Sequence, residues 1–343
     1  MSVMDVDFNC LPTIIGSMPF KDPKRACELI VHYLKDIPAW PQLPLLGPQE
    51  GMVGQFAEGF PGLKTVGNQF VLDSNSDLDS GIEAIYKAYI NDDAEAFPVS
   101  PERASGFYEF LRLINFSPLA VKGQITGPIS FGLSIKDSSG KAVLYNETLS
   151  DAAAKMLHLK ARWQESRLAE ISPRTITFVD EPGMVSYGSA FFNLSTEKVV
   201  TLIDEVLDGI SGIKGIHCCG NTDWSVVIST KAEIISFDTY NYAVSLSLFT
   251  HDIKALIERG GAIAWGIIPN NEDLSKESIS SLKDRLEEAM APFSRCGIPF
   301  SLIKERAILT PACSLASLSE DGAEQALVTL TGLSARMRGE AIP

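Results

Sequence analysis

The chain has 343 residues, 45% of them hydrophobic, which is enough for one large core or two ordinary ones. A formal charge of −14 argues against nucleic-acid partners and anionic membrane surfaces, since both require clustered cations. No apolar run reaches the roughly 20 residues of a membrane span. The opening residues also lack the basic-then-apolar pattern of a secretory signal. The six cysteines (Cys10, Cys27, Cys218, Cys219, Cys296 and Cys313) form no dense framework. They read as reduced thiols of a cytoplasmic protein.

In chain order, short apolar runs alternate with longer stretches of helical spacing. The runs read as strands over residues 13–17, 43–47, 119–125, 175–180, 215–219, 234–238, 262–267 and 307–310. Helical spacing covers 22–35, 147–171, 196–210, 247–259, 276–295 and 320–338. Two regions break the alternation. Residues 47–79, rich in glycine and polar side chains, predict a lid or insertion after the second strand. Residues 136–146 predict a flexible loop after the third. No repeat, linker or composition shift marks a boundary. The expectation is therefore an α/β protein forming a single domain over 1–343. Its fold is a (β/α)8 TIM barrel, with an open doubly wound sheet as the alternative.

Polar residues fall where such a barrel carries its chemistry. Ser17, Glu50, Thr126, Asp180, Glu181, His217, Cys219, Asp238 and Cys313 lie at or just past the carboxyl ends of predicted strands. His217 and Cys219, two apart on a strand, share a face, and Cys218 points to the other. A bulge would exchange the two cysteines, but plain alternation favours Cys219. Cys313 follows the last strand, on the rim that a closed barrel shares with the end of the fifth. One imidazole and two thiolates suit Zn2+ with a position left open. Asp238 reads equally as an oxygen ligand, a partner of His217 or a loop-capping carboxylate.

These residues give the chain a family likeness. It resembles the catalytic, carboxyl-terminal barrel of cobalamin-independent methionine synthase. That barrel lies within the wider group that includes uroporphyrinogen decarboxylase and the methylcobalamin:coenzyme M methyltransferases. The stretch Leu11-Pro-Thr-Ile-Ile-Gly-Ser-Met-Pro19 is similar to the family's first strand, which implies that Ile15 and Ser17 meet a substrate carboxylate. Gly47-Pro-Gln-Glu50 and the residues after it resemble the second motif, which implies that Glu50 grips an amino group. Val121–Pro128 resembles the third motif, and Phe178-Val-Asp-Glu-Pro182 the fourth, with Asp180 also facing the amino group. His217-Cys218-Cys219 looks like the family's His-x-Cys pair, Asp238 falls at its glutamate ligand and Cys313 at its last ligand.

The likeness implies zinc-dependent transfer of a methyl group to homocysteine, forming methionine, with Glu50 and Asp180 as the catalytic carboxylates. Three departures qualify it. Only one barrel is present, the turn Gly266-Ile-Ile-Pro-Asn-Asn271 lacks the family's histidine, and an aspartate replaces the glutamate. The first two point to a methylated corrinoid protein as donor rather than methyl-folate. The alternatives are another thiol acceptor of the coenzyme M kind, or a non-catalytic zinc-binding barrel.

Overall fold

Strands buried along their whole length cannot lie in a sheet with one wet face. Thr175–Asp180 and Ala262–Ile268 are buried at each position, as strands covered on both sides must be. The computed structural model describes residues 6–73 and 75–342. Its strands, in chain order, are β1 (Leu11–Pro12), β2 (Leu63–Val66), β3 (Gln69–Leu72), β4 (Val121–Thr126), β5 (Lys136–Asp137), β6 (Thr175–Asp180), β7 (Ile213–Cys218), β8 (Ile234–Phe237), β9 (Ala262–Ile268) and β10 (Ala307–Pro311). Seven form one parallel sheet in the order β1-β10-β9-β8-β7-β6-β4, and β2-β3-β5 form a separate small sheet. Among the described residues, no helix is long and apolar enough to cross a membrane.

Helices between the strands start where local chemistry allows. Asp22, Asn146, Ser195, Ser278 and Ser319 each accept a first-turn backbone N–H with their side chains. The helix Glu320–Arg338 ends at Gly339, whose φ of 75° is a left-handed cap. Inside the curled sheet, strand alternation sends Leu11, Ile176, Phe178, Ile213, Ile234 and Ile308 into one buried cluster at the amino-terminal end. A larger core packs the outer face of the sheet against the helices.

The structure corrects the sequence expectation at the second strand. Residues 43–47 are not extended: Pro44–Leu46 form a 3-10 turn, because Pro44 fixes φ and cannot donate to a ladder. The pairing lies a few residues earlier. Ala39 bridges Lys122 and Gln42 bridges Ser17, both in parallel sense. Backbone N–H groups of Ala120 and Lys122 donate to Asp36 and Pro38, while those of Gln42 and Met18 exchange with Gly16 and Gln42. The regular sheet thus has seven strands, flanked at its open edge by this irregular segment. The segment 136–146 is also more ordered than a flexible loop, since β5 pairs with β3 and Val143–Tyr145 form a 3-10 turn.

Candidate metal centre

β6, β7 and β8 lie side by side in a register that pairs Asp180 with His217 and His217 with Ser236. His217 is 2% exposed. Its Nδ1 lies 2.9 Å from Ser236 Oγ. With Nδ1–H donating to that hydroxyl, the lone pair sits on Nε2, which is buried and makes no well-formed hydrogen bond among the described residues. Cys218 closes β7 facing outward, fully buried, with Sγ turned to the Gly220 carbonyl at 3.7 Å. Burial pushes its thiol up to about 12, so it behaves as a small core residue. Cys219 faces inward, one step past the strand.

Cys313 reaches the same place from the other end of the sequence. The register between β10 and β9 shifts at Thr310/Pro311, and such an irregularity re-aims the chain at the strand exit. Three hydrogen bonds fix the turn beyond it. Ala312 N donates to Ile268 O at 2.8 Å, and Leu315 N to Ser17 O at 3.0 Å. Asn270 Nδ2 donates to Ser314 O at 2.9 Å. As a result, ligand atoms of His217, Cys219 and Cys313 all lie within 4.8 Å of one another. The Cys313 thiol hydrogen-bonds to Cys219 and holds it well below the ordinary thiol value, and the same contact drives Cys313 upward. Two sulfurs sharing a proton beside a buried imidazole form a donor set that fits a borderline-soft cation.

Asp238 stays outside this trio. Its two oxygens accept from Asn241 N at 2.9 Å and Asn241 Nδ2 at 2.7 Å, capping the helix Thr239–Ser247.

Asp180 is 4% exposed, and its Oδ1 is buried with no hydrogen-bond partner among the described residues. Burial pushes it up to about 6, against the pull of His217 and Lys122. Lys122, fully buried on β4, donates to Ile15 O at 2.7 Å and lies 4.5 Å over the Phe178 ring. Burial pushes its ammonium down to about 8, and Asp180 opposes that shift. The neighbouring Glu181 points the other way. It accepts from Ile129 N, Ser130 N and Ser130 Oγ at 2.6–2.9 Å and holds the first turn of the helix Pro128–Ser134, which follows β4.

Ser17 and Glu50 sit on the segments between β1 and β4. Thr126, at the end of β4, holds the Glu50 segment by donating to Met52 O at 2.5 Å. Ile15 is buried and its carbonyl is already taken by Lys122. Sequence reasoning overlooked Lys122, Gln42, Gln55 and Ser236. Only Lys122 carried a signal, a charge interrupting the apolar run 119–125.

No family model matches the chain, and no curated protein matches it in sequence. Solved structures do. The B12-independent methionine synthase from Shewanella sp. W3-18-1, in complex with selenomethionine, superposes with a TM-score of 0.60 at 14% identity. The match covers 96% of this chain and 98% of that one. A candidate vitamin-B12-independent methionine synthase from Listeria monocytogenes matches with a TM-score of 0.49 at 15% identity, over 90% and 84% of the two chains. The Shewanella protein thus carries the name of the family that the sequence resembles, and at this identity the likeness is one of fold.

Proposed function

We propose that this chain is a zinc-dependent methyltransferase that moves a methyl group onto the thiol of homocysteine to form methionine. The donor in this reading is a methylated corrinoid borne by a protein, rather than methyl-folate. One observation carries the proposal. Ligand atoms of His217, Cys219 and Cys313 converge within 4.8 Å of one another, next to a buried carboxylate oxygen of Asp180 that has no hydrogen-bond partner among the described residues.

His217, Cys219 and Cys313 would hold the ion, which when bound supplies the positive charge that ionises a thiol at neutral pH. The chain's other residues would position the amino acid. Asp180 Oδ1 is an acceptor awaiting a donor, and an ammonium group satisfies it. Glu50 adds a second carboxylate for the same group. The Ser17 hydroxyl and the backbone of residues 15–17 would receive the substrate carboxylate. The bond from Leu315 N to Ser17 O ties this end to the Cys313 turn, so thiol and carboxylate are held at a set separation. Such positioning is worth several kcal/mol of barrier. The selenomethionine of the Shewanella protein has the charge and size this cradle would take. A sulfonate thiol of the coenzyme M kind has no ammonium for Asp180 and Glu50.

Two features support the donor. The turn after β9 carries Asn270, bonded to Ser314 O, where the family has a histidine. Exposed Leu45, Leu46, Val185, Val244 and Leu248 lie on connections leaving the carboxyl ends of the strands, which suits contact with a protein-borne donor. The fold that goes with this reading is a single-domain, closed eight-stranded barrel. Residues 36–42 would take the place of its second strand, since they bond to neighbours on both sides.

The test uses protein purified without chelator. About one zinc per chain is expected, with methionine formed from homocysteine and methylcobalamin but not from methyltetrahydrofolate. Protein without zinc overturns the mechanism. Turnover with methyl-folate overturns the donor. A zinc protein that methylates no thiol is a binding barrel.

A further inference from the structure

A line of buried side chains joins the two ends of the proposed amino-acid cradle. Ser17 Oγ donates to Gln42 Oε1 at 3.1 Å, Gln42 Nε2 to Gln55 Oε1 at 2.7 Å, and Gln55 Nε2 to Glu50 Oε2 at 3.4 Å. The other Glu50 oxygen accepts from Ser105 N at 3.0 Å. Gln42, Glu50 and Gln55 are 2%, 4% and 0% exposed.

The chemistry at one end fixes the direction of the whole line. A carboxylate can only accept, so Gln55 must turn its amino group to Glu50 and its carbonyl to Gln42. Gln42 must then turn its amino group to Gln55 and its carbonyl to Ser17, which leaves Ser17 as donor. Aligned bonds of this kind polarise one another in a low-dielectric interior. Each amide has its outer atoms matched, so neither can rotate without leaving a buried polar group unpaired.

We infer that Gln42 and Gln55 are specificity-determining positioning residues that couple the carboxylate end of the substrate site at Ser17 to the ammonium end at Glu50. The inference rests on the function proposed above and deepens it. A substrate carboxylate that accepts the Ser17 hydrogen bond frees the carbonyl of Gln42, and the lost polarisation passes along the line to Glu50. A zwitterionic amino acid engages both ends, and its ammonium takes up the Glu50 charge that the weakened line screens less. A thiol acid or a thiol amine engages one end and leaves the other mismatched. Gly16 keeps this arrangement compact, since a Cβ there would sit 2.9 Å from both Gln42 Oε1 and Gln124 Cδ.

The test is calorimetric binding of homocysteine, 4-mercaptobutanoate and 3-mercaptopropylamine to the zinc-loaded full chain. The variants are Gln42→Leu, Gln55→Leu and the double mutant. Each single change should weaken homocysteine about tenfold, since one charge-assisted hydrogen bond is worth at least that factor. Binding of the two truncated thiols and the zinc content should stay the same. The double mutant should be no worse than either single one, because a serial line is broken once. Gln55→Glu keeps the volume and reverses the polarity, and carries the same expectation if the leucine variants do not fold. Wild-type protein that binds homocysteine while the glutamine variants bind it equally well overturns the line alone, as do losses that add in the double mutant. Wild-type protein that binds no amino thiol overturns the function and the line together.

Discussion

The interior of the curled sheet changes character along its axis. At the amino-terminal end, Ile176, Phe178, Ile213, Ile234 and Ile308 fill the space with apolar side chains. At the carboxyl end, on the same strands or just beyond them, stand Asp180, His217, Ser236, Cys219 and Cys313. Inward positions of one strand thus serve opposite ends. β7 carries Ile213 below and His217 above, and β8 carries Ile234 below and Ser236 above. The lower layer gains from burial in proportion to the area removed from water. The upper layer pays for burying polar atoms, Asp180 Oδ1 and His217 Nε2 among them, that make no well-formed hydrogen bond among the described residues. A fold does not keep such atoms for its own stability, and the contrast locates the chemistry.

The contrast is sharpest if each layer is damaged alone. Cys313→Ser should weaken zinc by roughly a thousandfold or more and abolish methyl transfer. The melting temperature of the metal-free protein should be nearly unchanged. Ile234→Ala should do the reverse, costing about 3 kcal/mol of stability while the folded fraction keeps its zinc affinity. Metal competition and denaturant melts on both variants decide the matter. A Cys313→Ser protein that holds zinc as wild type does removes the upper layer's assigned role.

Glu181 tests the border between the layers through pH. Burial raises it from an ordinary 4.5 to about 7, against three hydrogen-bond donors that pull it down. Its folded-state value lies above its unfolded one, so the protonated form favours the fold. That support is complete below about pH 4.5 and is lost as pH rises through 7. Wild type should therefore lose on the order of 3 kcal/mol relative to Glu181→Gln across that window. The substitution also sets an amide N–H against a donor, but that cost does not vary with pH. The slope of the difference is what melts at pH 4.5, 6 and 7.5 must show, and a flat difference refutes it.

Ser236→Ala probes the upper layer more gently. It removes the acceptor that sets the His217 tautomer without touching a ligand atom. Loss of such a partner typically lowers metal affinity ten- to hundredfold. A chelator titration that finds no change means the backbone alone orients the ring.

How much of this was legible in the sequence follows from how local each signal is. The helix Glu320–Arg338 could be bounded at both ends, because a serine cap and a terminal glycine announce it. His217, Cys219 and Cys313 could be named, because soft side chains at strand ends are few and alternation assigns their faces. The second strand was misplaced. The apolar pattern of residues 43–47 says strand, while Pro44 forces a turn, and the true pairing rests on two bridges too short to leave a period. Gln42 and Gln55 were invisible for a related reason. An amide acquires its role from partners that only the tertiary fold supplies, and nothing in the order Trp40-Pro-Gln-Leu43 distinguishes it from a loop.

Asp238 offers the smallest effect and the cleanest distinction. As a zinc oxygen ligand it would use a lone pair left over from the bonds to the Asn241 backbone and side-chain N–H groups, one of which falls on each of its oxygens. As a helix cap it gains from those two bonds and from the amino-terminal end of Thr239–Ser247. Burial raises its pKa, and the nearby Cys219 adds to that shift while His217 lowers it, so it senses those two side chains through space. Asp238→Asn keeps an oxygen for the Asn241 backbone N–H but sets an amide against the Asn241 side chain. The capping role predicts a loss of about 1 kcal/mol with zinc content and affinity unchanged. A ligand role predicts weaker zinc with stability preserved in the metal-free protein. Measured on one sample by melting and by chelator competition, the two outcomes cannot be confused, because each moves the quantity that the other leaves still.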